Sequence, residues 1–377
     1  MRFEFATATR ILFGAGVARD VASYAAGLGR RAFLVTGSSA ERAQALVPGL
    51  APFAVAGEPT IDLIHRGVAY AREQSCDLVI AIGGGSAIDT GKAIAALLNN
   101  PGDPLEYLEV IGRGQPLAHP PAPFIAVPTT AGTGSEVTRN AVLGSPEHRV
   151  KASLRSASML PRLALIEPEL ALTLPRPVTA STGLDALTQL IEPYVSTRAN
   201  SMTDLFCVEG LRRAATALPR AWELGSDLEA RTAMAWVALL GGLALANAGL
   251  GAVHGFAAPV GGMFPAPHGA ICAAVLPHAI EGNVAALRAR APESRAFARY
   301  EEVARLLTGN SHAAADDGVR WIAETCWKLE IPPLRAYGVR EEHIPALVEK
   351  AAKTSSMKGN PIVLTPDEMG QIISRAI

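Results

Sequence analysis

Short, continuously apolar segments alternate with helical patterns over the first 165 or so residues, and this alternation constrains the fold more than any other feature. The apolar runs cover residues 32–36, 78–82 and 124–127, and helical patterns cover 60–73 and 87–98 between them. A strand that is apolar on both faces must be buried on both faces, which is typical of a parallel sheet with helices on each side. The sequence therefore predicts an α/β fold for this part of the chain.

After Ile166-Glu167-Pro168 the pattern changes to helices alone. The chain has 377 residues, a length that suggests two domains. We therefore predict an α/β nucleotide-binding domain over residues 1–168 and an all-helical domain over residues 169–377. The helical patterns lie at 178–196, 201–218, 227–247, 267–283, 294–308, 313–329, 342–354 and 366–376.

Composition and charge argue against nucleic-acid and membrane partners. The 34 basic and 35 acidic side chains balance, whereas a nucleic-acid-binding chain carries a basic excess. The uncharged stretch 232–253 is long enough to cross a bilayer, but it contains Asn247 and lacks flanking basic or aromatic residues. We therefore predict a buried core helix there. The first residues lack the apolar core of a signal peptide, so we expect a cytoplasmic protein.

The cysteines are predicted to be reduced thiols without a metal role, because they lie far apart and form no CxxC pair. They are Cys76, Cys207, Cys272 and Cys326.

A glycine-rich turn follows the run at 78–82. It reads Gly83-Gly84-Gly85-Ser86, and Ala87-Ile88-Asp89 then opens a helix. Glycines let a phosphate approach the backbone, and the N–H groups at a helix start supply donors and a favourable dipole. We predict a diphosphate-binding turn, although its spacing is not GxGxxG. A tight turn that binds nothing is the alternative.

A second polar cluster, PTTAGTGSEVT at 128–138, follows the run at 124–127. Ligands of open α/β sheets bind at the carboxyl ends of the strands, where this cluster lies. Its hydroxyl groups suit hydrogen bonding to ribose and phosphate. The alternative is an ordinary polar loop.

A third group of residues suits a divalent cation in the helical domain. Asp185 and Gln189 are four residues apart and so share one helix face. His254 follows the long apolar helix, and His268 begins the next one after a predicted loop. One carboxylate and two imidazoles are a common ligand set for Fe(II) or Zn(II), whereas either histidine alone is more often structural.

Four segments together resemble the iron-containing (group III) alcohol dehydrogenase family over essentially the whole chain: GGGSAIDTGKAIA, PTTAGTGSEVT, GLDALTQLIEPYVS and HGFAAPVGGMFPAPHG. The resemblance implies a two-domain fold similar to dehydroquinate synthase, with the active site in the cleft. It also implies hydride transfer between NAD or NADP and a small alcohol, aldehyde or ketone, with Fe or Zn, in an enzyme that is usually a homodimer.

The resemblance also implies site residues. Metal ligands would be Asp185, His254 and His268, with Gln189 at the fourth position, and both histidines are candidate catalytic residues. The implied cofactor-binding residues are Gly37, Ser38, Gly84, Gly85, Ser86, Asp89, Thr129, Thr130, Thr133, Thr138, Asn140 and Lys151.

The chain departs from the family pattern at three places. Gln189 replaces a histidine, so we expect weaker, exchangeable metal binding. Ala258 stands where the family often has a second histidine near the substrate, which puts proton handling in doubt. Gly37 stands where NAD-preferring members often have Asp, which leaves room for the 2′-phosphate of NADP, although Glu58 could accept ribose hydroxyls. The choice between NAD and NADP stays open.

Three alternatives remain beside the metal-assisted dehydrogenase. The first is a metal-independent reductase similar to maleylacetate reductases. The second is a lyase or cyclase on the dehydroquinate synthase-like scaffold, and the third is a cofactor-binding protein without catalytic activity.

Overall fold

A six-stranded parallel sheet organises the N-terminal part of the chain in the computed structural model, which describes residues 2–377. Strands run at β1 (Ile11–Phe13), β2 (Ala32–Thr36), β3 (Pro52–Ala54), β4 (Leu78–Gly83), β5 (Phe124–Pro128), β6 (Asn140–Ser145), β7 (Val150–Arg155) and β8 (Leu163–Ile166). The sheet order is β1-β8-β5-β4-β2-β3, while β6 and β7 pair antiparallel beside it. The predicted α/β fold with a parallel sheet is confirmed.

The central strands are buried on both faces, which explains their continuously apolar sequences. Val79 and Ala81 of β4 pack into one core, and Ile80 and Ile82 pack into another core on the opposite face. Helices cover the two faces. They are α1 (Val21–Ala26), α2 (Ala40–Leu46), α3 (Ile61–Glu73), α4 (Gly85–Asn99) and the one-turn α5 (Pro104–Tyr107).

The C-terminal part is helical, as predicted. Its helices are α6 (Arg176–Val195), α7 (Ser201–Glu223), α8 (Leu228–Ala248), α9 (Ala252–Met263), α10 (His268–Arg290), α11 (Arg295–Thr308), α12 (Ala315–Lys328), α13 (Ile344–Ala352) and α14 (Pro366–Ala376). Short 3-10 segments lie at Val17–Asp20, Ser135–Val137, Ala157–Met159, Pro168–Ala171, Leu334–Tyr337, Glu341–His343 and Met357–Gly359.

The predicted loop between His254 and His268 is wrong, because α9 occupies most of it. Several glycines and Pro259 gave this segment low helix propensity. Packing explains the glycine at position 255, since a Cβ there would lie 2.8 Å from Cε and 3.3 Å from Cβ of Met357. Burial of α9 thus outweighs its intrinsic propensity.

Two compact units account for the chain. One consists of Ala6–Thr130 and Gly134–Leu172, and the other of Thr173–Ile377 together with Ala131–Thr133 and the described residues up to Phe5. The domain limits placed at 168 and 169 by sequence stay a prediction. Nothing in the sequence predicted that residues 131–133 belong to the helical unit.

Within residues 2–377, α8 and α10 are long and apolar enough to cross a membrane by length and composition alone. However, 67% of the apolar window of α8 and 78% of that of α10 are buried inside the protein. Their side chains belong to the core of the helical unit, where Leu240 and Leu276 are buried. The two helices therefore have the burial expected of core helices.

Candidate nucleotide and metal sites

Three predicted cofactor residues meet at the carboxyl edge of the sheet. Gly37, Gly84 and Thr129 follow β2, β4 and β5, which are neighbouring strands. The N–H of Gly37 donates to the Ile82 carbonyl at 3.3 Å, and that of Thr129 donates to the Gly83 carbonyl at 2.9 Å. The hydrogen-bond pattern of the sheet therefore continues past the ends of the strands and holds these turns side by side.

The turn after β4 exposes backbone donors at the start of α4. A Cβ on Gly83 would lie 2.6 Å from Cβ of Ala87 and 2.9 Å from N of Gly37, so only glycine fits there. Gly84 is the N-cap of α4 in extended conformation and supplies no side-chain cap. Gly85 and Ser86 begin the helix. The first N–H groups of α4 thus point to where an anion binds most favourably.

A buried lysine organises the second polar cluster. Lys92 of α4 is 1% exposed, and its Nζ donates to Ser135 Oγ and Thr138 Oγ1 at 2.9 Å and to the Asn140 carbonyl at 2.6 Å. Asp89 lies 3.5 Å from the same Nζ and accepts from Ser135 Oγ. The predicted cofactor residues Asp89, Thr138 and Asn140 therefore contribute to internal bonds that fix the segment after β5. Sequence reasoning missed Lys92.

Burial shifts the ionisation of two groups in this network. It lowers the pKa of Lys92, although Asp89 opposes the shift. It raises the pKa of Glu136 to about 7, although a backbone hydrogen bond and Lys92 oppose it. Both shifts have the direction that burial dictates, so the loss of hydration outweighs the attraction between the two charges. Glu136 consequently changes charge near neutral pH.

The other predicted cofactor residues lie apart from that network. Ser38 is exposed after β2, and Thr130 lies beside Gly84, whose Cβ position would be 3.2 Å from Thr130 Cγ2. Lys151 of β7 is buried with its Nζ 3.4 Å from Glu58 Oε1. Thr133 belongs to the helical unit.

Four potential metal donors converge within the helical unit. Asp185 comes from α6, His254 from α9, and His268 and Cys272 from α10, and their ligand atoms all lie within 4.8 Å of one another. Asp185 Oδ1 is 3.3 Å from His254 Nε2 and 3.8 Å from His268 Nε2. Two nitrogen or oxygen donors on one tetrahedral zinc ion are about 3.4 Å apart. The predicted Asp–His–His set therefore has the spacing of a metal site.

Buried atoms left without hydrogen bonds support the same fit. Among the described residues, Asp185 Oδ1, Gln189 Oε1 and His254 Nε2 are buried and have no hydrogen-bond partner. An unsatisfied buried polar group costs about 1–3 kcal/mol, more when it is charged. A divalent cation would satisfy the carboxylate and the imidazole together. The residues present therefore fit a metal ion.

Glu192 of α6 fixes the ring of His254. Its Oε2 is 2.7 Å from His254 Nδ1, and its Oε1 accepts from the Val253 N–H at 2.6 Å. Because a carboxylate only accepts, Nδ1 carries a proton, and Nε2, which faces Asp185, is the atom that would give up its proton to bind a metal ion. This is the carboxylate–histidine arrangement that orients metal ligands. Glu192 was not predicted from sequence.

The charges around the cluster favour a cation at its centre. Burial works against protonation of His254, but Cys272, Glu192 and Asp185 raise its pKa well above the usual value. Burial also opposes protonation of His268, yet Cys272 and Asp185 raise its pKa to about 9. The histidines in turn lower the pKa of Asp185 despite its burial. In this field, positive charge is favoured, whether carried by protons or by a metal ion.

Sequence analysis treated Gln189 and Cys272 differently: it named Gln189 as a metal ligand and expected no metal role for Cys272. Gln189, a predicted ligand, is buried, and its Oε1 would lie 3.5 Å from a Cβ on Gly241 of α8. Cys272 was expected to have no metal role, but its Sγ belongs to the four-atom group. The signal was present, since His268 and Cys272 are four residues apart on α10 and so share a face.

Comparison with known proteins gives two family matches that together span most of the chain. "Iron-containing alcohol dehydrogenase" matches residues 8–168, and "Fe-containing alcohol dehydrogenase family, C-terminal" matches residues 179–377. A 1,3-propanediol dehydrogenase from Citrobacter freundii is 36% identical over 319 residues, which cover 83% of this chain and 79% of that protein.

Solved structures agree over the full length. The crystal structure of a 1,3-propanediol oxidoreductase has a TM-score of 0.91 and 32% identity, covering 100% of both chains. A sulfoacetaldehyde reductase from Bifidobacterium kashiwanohense, in complex with NAD+, has a TM-score of 0.86 and 27% identity, covering 99% of this chain and 98% of its own. The resemblance inferred from the four motifs is confirmed. This chain belongs to the iron-containing alcohol dehydrogenase family, whose NAD(P)-dependent enzymes interconvert alcohols with aldehydes or ketones.

Proposed function

We propose that this chain is a metal-assisted, NAD(P)-dependent alcohol dehydrogenase or carbonyl reductase. Asp185, His254 and His268 would hold a divalent ion in the helical unit. The observation that carries the proposal concerns two buried atoms, Asp185 Oδ1 and His254 Nε2. Neither has a hydrogen-bond partner among the described residues, and the two atoms lie 3.3 Å apart.

In this proposal the chain prepares the chemistry by charge and orientation. A bound Fe(II) or Zn(II) ion supplies Lewis acidity toward the substrate oxygen, and the nicotinamide supplies or accepts the hydride. Asp185 contributes the negative charge that attracts the ion. Glu192 holds the His254 ring with Nδ1 protonated, so Nε2 is the nitrogen that would bind the ion. Both side chains are buried, and exclusion of water strengthens their electrostatic effect.

The cofactor diphosphate is proposed to bind at the start of α4. Gly84, Gly85 and Ser86 offer backbone N–H groups, and the dipole of this 15-residue helix favours an anion at its first turn. Thr129 and Thr130 follow the neighbouring strand and bring hydroxyl groups to the same edge. We assign Thr133, Thr138, Asn140 and Lys151 to the remaining cofactor surface only as sequence-based proposals.

The coenzyme specificity is proposed to include NADP(H). Gly37, the first residue after β2, carries no negative charge, and Ser38 after it is exposed. A 2′-phosphate would meet no repulsion from these two residues. Glu58 lies close to Lys151, 3.4 Å away, and this pairing offsets its negative charge.

The wider assignments follow from the family and the composition. We propose a small alcohol, aldehyde or ketone as substrate, a homodimer as the assembly and the cytoplasm as the location. Neither the balanced charge nor the burial of α8 and α10 favours nucleic acid or a membrane as partner.

The experiment measures metal and activity together. Protein purified without chelators is analysed for metal, and reduced-cofactor absorbance is followed with a panel of alcohols and aldehydes. We expect chelator to remove activity and Fe(II) or Zn(II) to restore it. Asp185→Asn should lose bound metal while remaining folded, whereas Asp367→Asn, an exposed change in α14, should keep it. Full activity after complete metal removal would favour the metal-independent reductase instead.

A further inference from the structure

Cys272 lies inside the cluster of metal donors. It is fully buried on α10, and its Sγ is 3.7 Å from His268 Nε2. All four ligand atoms, from Asp185, His254, His268 and Cys272, lie within 4.8 Å of one another. The other buried cysteines of the described residues, Cys207 and Cys326, do not belong to this group.

The distance from sulfur to nitrogen fits a shared ion. Zinc binds thiolate sulfur at about 2.3 Å and imidazole nitrogen at about 2.0–2.1 Å, so the two atoms are about 3.6 Å apart in a tetrahedral site. The observed 3.7 Å matches this separation. For a neutral thiol the same contact is a weak hydrogen bond to His268, which contributes little.

The other candidate for a fourth ligand is a poor one. Gln189 offers a neutral amide oxygen, a weaker ligand than thiolate for late transition metals. Its Oε1 is buried without a hydrogen-bond partner among the described residues. A thiolate from Cys272 would supply the strong fourth donor that Gln189 does not.

We propose that Cys272 is a metal ligand, giving an Asp–His–His–Cys donor set that favours Zn(II) over hard ions such as Mg(II) and Mn(II) and leaves a fifth position for the substrate oxygen. The inference rests on the proposed function, because it requires that Asp185, His254 and His268 bind a divalent ion. On binding, the S–H bond breaks, a metal–sulfur bond forms and the proton leaves to solvent, with no change of oxidation state. The negative charges of the carboxylate and the thiolate together neutralise the charge of the divalent ion.

Cobalt substitution tests this directly. Full-length protein freed of metal is titrated with Co(II). The visible bands of Co(II) report binding, and a near-ultraviolet band reports sulfur-to-cobalt charge transfer. We expect one equivalent to bind with the charge-transfer band present. Cys272→Ser should abolish that band and weaken Co(II) binding by roughly 10-fold or more.

Cys326→Ser is the matched control, since Cys326 is also buried and its Sγ donates to the carbonyl of Ala273, next to Cys272. It should keep the band, and so should Gln189→Ala. X-ray absorption of the wild-type zinc protein, which needs no variant, should show sulfur at about 2.3 Å.

The possible failures are distinguishable. Bound Co(II) without a charge-transfer band, or with a band that survives Cys272→Ser, overturns the role of Cys272 and leaves the proposed function standing. Absence of zinc–sulfur scattering overturns it as well. If neither Co(II) nor Zn(II) binds, the proposed metal site is wrong, and the inference fails with it.

Discussion

Replacing Glu136 by Gln should remove a large pH dependence from the stability of the α/β unit. Burial raises the pKa of this carboxyl from 4.5 to about 7. The protonated form is therefore favoured by folding, so its contribution is complete below about pH 4.5 and is lost as the pH rises through about 7. At about 1.4 kcal/mol for each pH unit, the difference of about 2.5 amounts to about 3 kcal/mol.

The measurement needs a probe inside the α/β unit, because all the tryptophans of the chain lie beyond residue 221. Hydrogen exchange of peptides from β4 and β5, corrected for intrinsic rates, gives the unfolding free energy at each pH. Between about pH 5 and 8 the wild type should lose most of the 3 kcal/mol, and Glu136→Gln should lose little of it. Only the slope of the unfolding free energy against pH is compared, because the substitution also changes that free energy by an amount that does not depend on pH.

Glu73→Gln, at the exposed end of α3, is the control and should retain the wild-type slope. An equal slope in wild type and Glu136→Gln would refute the reasoning. So would a wild-type stability that increases over this range.

Three further substitutions probe the sites themselves. Glu192→Gln removes the charge that orients His254, so metal affinity in a competition titration should fall roughly 10- to 100-fold, and unchanged affinity would remove Glu192 from the site. Gly84→Val places a Cβ about 3.2 Å from Thr130 Cγ2, so the fold should survive with a small shift while calorimetry shows loss of cofactor binding. Gly37→Asp has room, with the nearest atom 3.7 Å from the new Cβ, and should lower kcat/KM for NADP(H) by at least about tenfold while sparing NAD(H). Equal losses with both cofactors would contradict the placement of the 2′-phosphate.

The strands that sequence identified are the ones buried on both faces. β2, β4 and β5 have apolar side chains at almost every position, so their burial can be predicted from their composition. β1 and β3 are only partly buried, and β6 alternates buried and half-buried residues, so their sequences carry weaker patterns. The helix α9 was missed because its glycines serve close packing, which no local propensity records.

Some residues of the candidate site could likewise be predicted from sequence, and others could not. Asp185, His254 and His268 could be named because their residue types are typical metal ligands, and the structure brings them together. Glu192 and Lys92 could not, since a buried charge acquires its partner only from the tertiary fold. Cys272 had a usable signal in its spacing from His268, but a scattered cysteine alone gives no reason to look for it.

The helix that carries His254 does not cap itself. Its N-cap is Gly251, which has no side chain, and its first N–H groups are accepted instead by Glu192 and by Oδ1 of Asn360, the latter at 3.1 Å from the Ala252 nitrogen. Asn360 also exchanges two hydrogen bonds with Asn283 of α10. A nascent chain therefore contains Asp185, His254, His268 and Cys272 long before it contains Asn360, which bonds to both α9 and α10. The hydrogen bonds that join the start of α9 to α10 through Asn360 therefore form only after residue 360 has been synthesised.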